Sequence, residues 1–265
     1  MQYDPLKDRA ANLIRLFPTA RVAFYRLLDL ILLRQRYVKR CMLRHAPDRK
    51  EWLYYDAGAG FCQYSWFVLK RFSQARVLAT DLKREYLEDF ADYAAETFPG
   101  RFYWQEADLQ VFTPQNKYHV ISAVDILEHI PDDYAVLRNF YHCLAEGGVL
   151  IISTPSDTDP AAKFTAEHVR PGYAKAALES KLRKTGFTIL ESLYSYGKYG
   201  SLAWRMLLRF PLSVLGKSKT AVVFLPFYFI LIYPIAAVLM RLDMAKSNKQ
   251  GTGIIIVAQK EKQAR

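Results

Sequence analysis

Asp56, Gly58 and Gly60 stand in the run Trp52-Leu-Tyr-Tyr-Asp-Ala-Gly-Ala-Gly-Phe-Cys62. An acid and two glycines one position apart follow an apolar stretch and precede a helical one, Gln63 to Phe72. A strand, a tight glycine turn and a helix let a backbone come close to a nucleotide-like ligand. Three more acids occupy the same kind of place: Asp81, Asp108 and Asp125 each come at or just beyond the end of an apolar run. Unpaired carboxylates are costly to bury. Four of them gathered at one edge imply a ligand rich in donors, with hydroxyls, an amine or an ammonium to offer.

The elements that must position these residues alternate. Strands are expected at 52–55, 75–80, 101–105, 119–124, 149–153, 187–195 and 253–259, with helices at 63–72, 83–97, 134–143 and 175–185 between them. Pro99-Gly100 closes one helix, and Gly147-Gly148 is read as the break after another. Alternation of this kind builds a parallel sheet covered by helices on both faces, and ligands bind outside the carboxyl ends of its strands. Ahead of the first strand, Ala20 to His45 reads as one long helix. Arg26, Asp29, Arg36, Arg40 and Arg44 form one polar stripe, and Phe24, Leu28, Ile31, Val38 and Met42 lie on another face.

The chain of 265 residues carries a net charge of +11. Residues 1–50 contribute +8, residues 51–162 contribute −9, and residues 163–220 and 221–265 contribute +8 and +4. The glycine-turn region is therefore acidic and its flanks are basic, which favours an anionic partner, phospholipid or nucleic acid. Three cysteines without paired spacing, Cys41, Cys62 and Cys143, suit a reducing compartment and give no metal site. The start Met1-Gln-Tyr-Asp-Pro has no signal-peptide pattern.

Taken together, Asp56-Ala-Gly58-Ala-Gly60, Asp81, Asp108, Asp125-Ile-Leu-Glu-His129-Ile, Glu146-Gly147-Gly148 and Thr185-Gly186-Phe187 resemble a class I S-adenosylmethionine-dependent methyltransferase of the small-molecule and lipid type. The resemblance covers roughly residues 52–187 and the last strand. It implies an α/β Rossmann-like, seven-stranded sheet, mostly parallel with an antiparallel last strand, spanning 51–265 after a basic helical segment at 1–50. It departs from the family at Cys62, where a third glycine is common. The resemblance implies S-adenosylmethionine as cofactor. Asp56, Gly58, Gly60 and Asp125 would then lie by its methionine part, Asp81 by the ribose, and Asp108, Leu82 and Leu109 by the adenine. A nicotinamide dehydrogenase fits less well, because its third glycine would fall at Gln63. A base is needed only for a hydroxyl or protonated-amine acceptor. His129, His168 and Tyr173 are the candidates, with Arg170 beside them to hold the acceptor.

Between the sixth and last strands lies an insertion, 201–250. Its stretch Thr220 to Met240 has no charge and is flanked by Lys217, Lys219 and Arg241. It is long enough to span a bilayer. The resemblance implies that the strands on either side pair with each other, which excludes a single crossing. A helical hairpin, an interfacial helix or a buried lid remains, and Pro226 and Pro234 would bend or break a helix there. The function expected is methyl transfer to a small-molecule or lipidic acceptor. It would take place at the inner face of a membrane, in the cytoplasm, with residues 20–45 and 202–240 meeting the anionic surface. A nucleic-acid methyltransferase and a non-catalytic cofactor-binding membrane adaptor are the alternatives. No nucleic-acid partner is expected, because no RNA-binding module is recognisable.

Overall fold

A computed structural model of the chain describes residues 18–158, 169–217 and 219–261. Helices α1 (Pro18–Ile31) and α2 (Leu33–His45) lead into β1 (Trp52–Ala57), α3 (Gln63–Arg71), β2 (Ala75–Asp81), α4 (Arg84–Thr97), β3 (Phe102–Glu106) and β4 (Tyr118–Val124). Then come α5 (Asp133–Cys143), β5 (Leu144–Pro155), α6 (Lys175–Lys184) and β6 (Phe187–Ser195). The insertion contributes α7 (Lys198–Trp204), α8 (Phe210–Lys217) and α9 (Leu225–Ala245), and β7 (Gly253–Lys260) closes the fold.

The seven strands form one sheet in the order β3-β2-β1-β4-β5-β7-β6. All neighbours are parallel except β7, which runs antiparallel to both β5 and β6. Strand order reverses between β1 and β4, so the turns after these two strands flank the natural ligand crevice. The inner strands β1, β4, β5 and β7 read as near-continuous apolar runs because both faces are covered, whereas the edge strands β3 and β6 are partly exposed. Tyr54, Val77, Val120 and Ile151 pack under α2, α3 and α4 on one face, and Ile121, Leu150, Leu137 and Leu178 pack on the other. Each such side chain, fully buried, contributes about 1.5–3 kcal/mol.

Three local expectations are corrected. The N-terminal segment is two helices, not one: Leu32 is extended, with φ −103° and ψ 106°. The two halves are held in different directions. Arg21 of α1 reaches Asp89 Oδ2 of α4 at 2.7 Å, and the Tyr25 hydroxyl donates to the Phe61 carbonyl, whereas α2 packs over β5, β6 and β7. Second, β5 begins at Leu144, so Gly147 and Gly148 lie inside a strand and α5 has already ended at Cys143. Third, the prolines do not interrupt α9. Pro226 sits in the first turn, where its missing N–H is not needed, and Pro234 lies within a continuous 21-residue helix.

The arginines of α2 are taken up by the chain's own acceptors. Arg36 donates to the Tyr233 hydroxyl at 3.2 Å, Arg40 to the Met244 carbonyl at 2.9 Å and Arg44 to Glu191 at 2.7 Å. Two of these partners lie on α9. Asp243, fully buried, joins the same junction by accepting from the Tyr37 hydroxyl and from Gly200 N–H, both at 3.0 Å.

Candidate active site

The glycine turn is built around β2. Gly58 and Ala59 N–H donate to the Thr80 carbonyl at 2.8 and 2.9 Å, and Gly60 N–H donates to Asp81 Oδ2 at 2.8 Å. Gly58 has φ +71°, and a Cβ there would meet the Ile126 side chain at 2.3 Å. Gly60 has φ +51° with nothing within 4 Å of its missing Cβ, so one side of the turn faces open space. Cys62 follows with φ 58°, the left-handed conformation that glycine adopts freely and other residues adopt at a cost. A glycine at that place would adopt this conformation without the cost. Here the thiol is fully buried, and burial pushes its pKa up.

The four strand-end acids have different duties. Asp56 is 2% exposed; its Oδ2 accepts from Ser65 N–H at 2.9 Å and Ser65 Oγ at 2.7 Å, and its Oδ1 from Ser122 at 3.2 Å. The carboxylate is therefore committed to the start of α3 rather than turned to a ligand. Burial raises its pKa to about 6, against hydrogen bonds from Ser65, Ser122 and Tyr54 that favour the charged form. Asp81 accepts from Gly60 and, through Oδ1, from Lys83 N–H at 2.9 Å, so it ties the glycine turn to the end of β2. Asp108 is exposed and caps its own turn, accepting from Gln110 N–H at 2.9 Å. Asp125 has φ 52° and forms an ion pair with Arg34 of α2. A non-glycine residue held in this region is a mark of local strain, which clusters at functional sites.

Leu82 and Leu109, expected as a pair, are treated differently: Leu82 is 52% exposed beside Asp81, whereas Leu109 is packed in the core. Tyr173 and Arg170 are not free to meet an acceptor. The Tyr173 hydroxyl, buried, donates to Asp133 Oδ2 at 2.7 Å, and Arg170 donates to it at 2.8 Å and to the Leu127 and Ile130 carbonyls at 2.6 and 2.9 Å. Lys181 closes the cluster on Asp133 at 2.6 Å. Burial and the Asp133 carboxylate push the Tyr173 hydroxyl well above its ordinary pKa. This network pins α5, α6 and the turn after β4 together. His129 is half-buried in that turn, Leu127–His129. His168 lies outside the described residues.

The structure adds three residues that the motif reading did not single out. Arg34 comes from α2 onto Asp125. Its Nε is buried without an acceptor, and the Tyr64 hydroxyl is likewise buried without a hydrogen bond of normal geometry. Burial raises the Tyr64 hydroxyl while the adjacent Arg34 guanidinium acts against it. Glu128, 1% exposed, accepts from Thr154 Oγ1 at 3.1 Å, and burial raises its pKa. A signal for Arg34 was present in the sequence: it sits four residues before Val38 and seven before Cys41, both buried, so it is a charge on the apolar face of its helix. A carboxylate beside a guanidinium that keeps an unused Nε–H, with a buried phenol next to it, could meet the two ends of an α-amino-acid zwitterion.

A methyltransferase-domain family model matches residues 55–150. Trans-aconitate 2-methyltransferase of Azoarcus sp. (strain BH72) is 29% identical over 123 residues, 46% of this chain and 47% of that protein. The enzyme of the same name from Enterobacter sp. (strain 638) is 30% identical over 126 residues, 47% and 48% of the two chains. The chain thus spans about half the length of the curated relatives it matches. Among solved structures, a protein described as a sarcosine dimethylglycine methyltransferase from Galdieria sulphuraria superposes with TM-score 0.61 at 14% identity, covering 86% and 85% of the chains. Phosphoethanolamine N-methyltransferase 2 of Haemonchus contortus, in complex with S-adenosyl-L-methionine, gives 0.60 at 16% identity, covering 86% and 53%. The [4+2]-cyclase SpnF gives 0.59 at 17% identity, covering 86% and 80%, so the fold hosts other chemistry as well. Residues 55–150 thus match a methyltransferase domain, and the seven-stranded sheet around them has the fold of the S-adenosylmethionine-dependent methyltransferases among these structures.

Proposed function

We propose that this protein transfers the methyl group of S-adenosylmethionine to a small-molecule or lipidic acceptor. The observation that carries the reading is the set of acids at the ends of parallel strands around the glycine turn, with Gly60 held on Asp81 and Asp125 held by Arg34. The donor set fits the cofactor. Asp125 takes the ammonium and Arg34 with Tyr64 the carboxylate of its methionine part. Asp81 takes the ribose hydroxyls, and Asp108 with the exposed face of Leu82 takes the adenine. Gly58 and Gly60 leave room for close backbone approach. Asp56 acts behind them, by fixing the start of α3.

When bound, S-adenosylmethionine supplies a methyl group already activated by its sulfonium. The chain has then to align the acceptor and exclude water. Arg34 and the N-terminal helices that carry it cover the methionine end of the cleft. His129, in the turn behind Asp125, is the described candidate for taking a proton from a hydroxyl or amine acceptor. Glu128 beside it, with its raised pKa, is a second.

The finer reading is an amphiphilic acceptor met at the cytoplasmic face of a membrane. Its support is the apolar, exposed face of α9, and the three cysteines, all free and buried, suit a reducing compartment. Calorimetric titration with S-adenosylhomocysteine, followed by methyl transfer from labelled cofactor to trans-aconitate and to a lipid extract, tests both levels. Absence of cofactor binding would sink the whole reading. Transfer to trans-aconitate and not to lipid would sink the finer one.

A further inference from the structure

The insertion rises from the same edge of the sheet as the cleft. Ser195, the end of β6, pairs with Gly253, the start of β7, which in turn pairs with Pro155 at the end of β5. That is the carboxyl edge on which Asp125 and the glycine turn lie. The inner face of α9 is taken by the protein: Ala236, Met240 and Asp243 are buried, Tyr233 receives Arg36, and the Tyr228 hydroxyl donates to the Met206 carbonyl at 2.8 Å. Its outer face is a stripe at helical spacing, Phe227, Ile230, Leu231, Ile235 and Val238, exposed by 51–71%. Phe224 and Val223 extend it beyond the helix start, exposed by 71% and 65%.

An apolar stripe this continuous on a monomer marks an interaction site. Its charge surroundings decide the occupant. Residues 196–252 hold eight Lys and Arg and a single acid, Asp243, and that acid is buried. Arg205, Arg209 and Arg241 are exposed around the stripe. A second copy would bring a matching ring of cations against this one, whereas an anionic bilayer offers apolar depth bounded by negative head groups. By length and composition Val222–Ala245 could cross a membrane. Its inner face, however, is fastened to the domain by a buried carboxylate and an arginine, so only the outer face is free.

From these features we infer that α9 docks in the plane of an anionic membrane surface, its outer stripe at the acyl boundary and Arg205, Arg209 and Arg241 among the head groups. The cleft edge then faces the membrane. Helix α2 holds α9 from beneath through Arg36 and Arg40. This deepens the proposed function by naming the partner of its acceptor side, and it rests on that reading for the chemistry only.

Flotation of the full chain with vesicles of phosphatidylcholine, with and without one-third phosphatidylglycerol, tests it. The intact protein floats with the anionic vesicles, and Phe227→Asp/Ile235→Asp lowers the bound fraction at least tenfold. Arg209→Gln/Arg241→Gln lowers it about threefold or more and removes the preference for phosphatidylglycerol. A fluorophore on Leu231→Cys is quenched by lipids brominated near the head group more than by those brominated near the chain end. S-adenosylhomocysteine affinity, unchanged in each variant, shows that they fold and keeps this test separate from that of the cleft. Intact protein that stays aqueous at low salt overturns the inference. So does a dimer in light scattering that Phe227→Asp/Ile235→Asp makes monomeric, or quenching that is strongest at the bilayer centre.

Discussion

Arg34→Gln isolates the assignment of the methionine end of the cleft. The guanidinium is about one-third exposed, paired with Asp125, and keeps a buried Nε without an acceptor. A charge-assisted hydrogen bond to a ligand carboxylate is worth about 1.5–3 kcal/mol. Against this stands the pair with Asp125, which a ligand ammonium has to share; a partly exposed ion pair contributes only about 0–1 kcal/mol. The net loss in the variant is then on the order of 1–2 kcal/mol, or roughly 5–30-fold in affinity. Glutamine keeps the stem as far as Cδ and some hydrogen-bonding capacity without the charge, so folding of α2 around Leu33, Tyr37 and Val38 is retained. The assay is calorimetry with two ligands, S-adenosylhomocysteine and 5′-methylthioadenosine, which lacks the amino-acid part. The weakening should appear with the first and be absent with the second. Equal loss for both ligands would mean that Arg34 acts only through the packing of α2, and no loss for either would remove it from the site.

Three further outcomes follow from the same geometry. Asp81→Ala should weaken S-adenosylhomocysteine at least tenfold in calorimetry, because it removes both the proposed ribose acceptor and the anchor of Gly60 N–H, each a charge-assisted bond of about 1.5–3 kcal/mol. Tyr173→Phe leaves the buried Asp133 short of one donor and should cost about 1–3 kcal/mol in urea unfolding, with cofactor affinity intact. Asp56, with a pKa raised to about 6 in the folded protein, binds its proton more tightly folded than unfolded. Its contribution therefore falls as pH rises from the ordinary carboxylate range through about 6, by roughly 2–3 kcal/mol in all. Asp56→Asn should flatten that part of the stability profile measured by urea midpoints from pH 4 to 7, and an unchanged slope would assign it to other groups.

The sheet was legible from the sequence because its signals are local and redundant. Most strands are apolar runs, several of them ended by an acid or proline, and the helices between them carry apolar residues at helical spacing. The same locality explains why the pattern alone places Asp81, Asp108, Asp125 and the two glycines at one edge: parallel strands put all their carboxyl ends on the same side. The charge-free length of Thr220 to Met240 was plain in the sequence; that a single crossing is forbidden came from the strand pairing implied by the resemblance, which β6 and β7 show.

What the sequence left open depends on contacts between distant residues. Nothing local at Leu32 separates two helices; α1 and α2 part there because one is anchored on Asp89 and Phe61 and the other on β5 to β7. Asp56 has the same local signature as its three fellow acids, yet Ser65 and Ser122 close over it. Tyr173 has the chain position of a catalytic phenol, and only Asp133, forty residues away, turns it into a strut. Arg34 reaches Asp125 across ninety-one positions in the chain, a partnership no spacing rule encodes. Sequence patterns fix which groups stand at an edge, because backbone periodicity is short-ranged. Which of those groups remain open to a ligand is decided by tertiary packing, since a carboxylate or hydroxyl keeps its free valences only where no other part of the chain arrives to satisfy them.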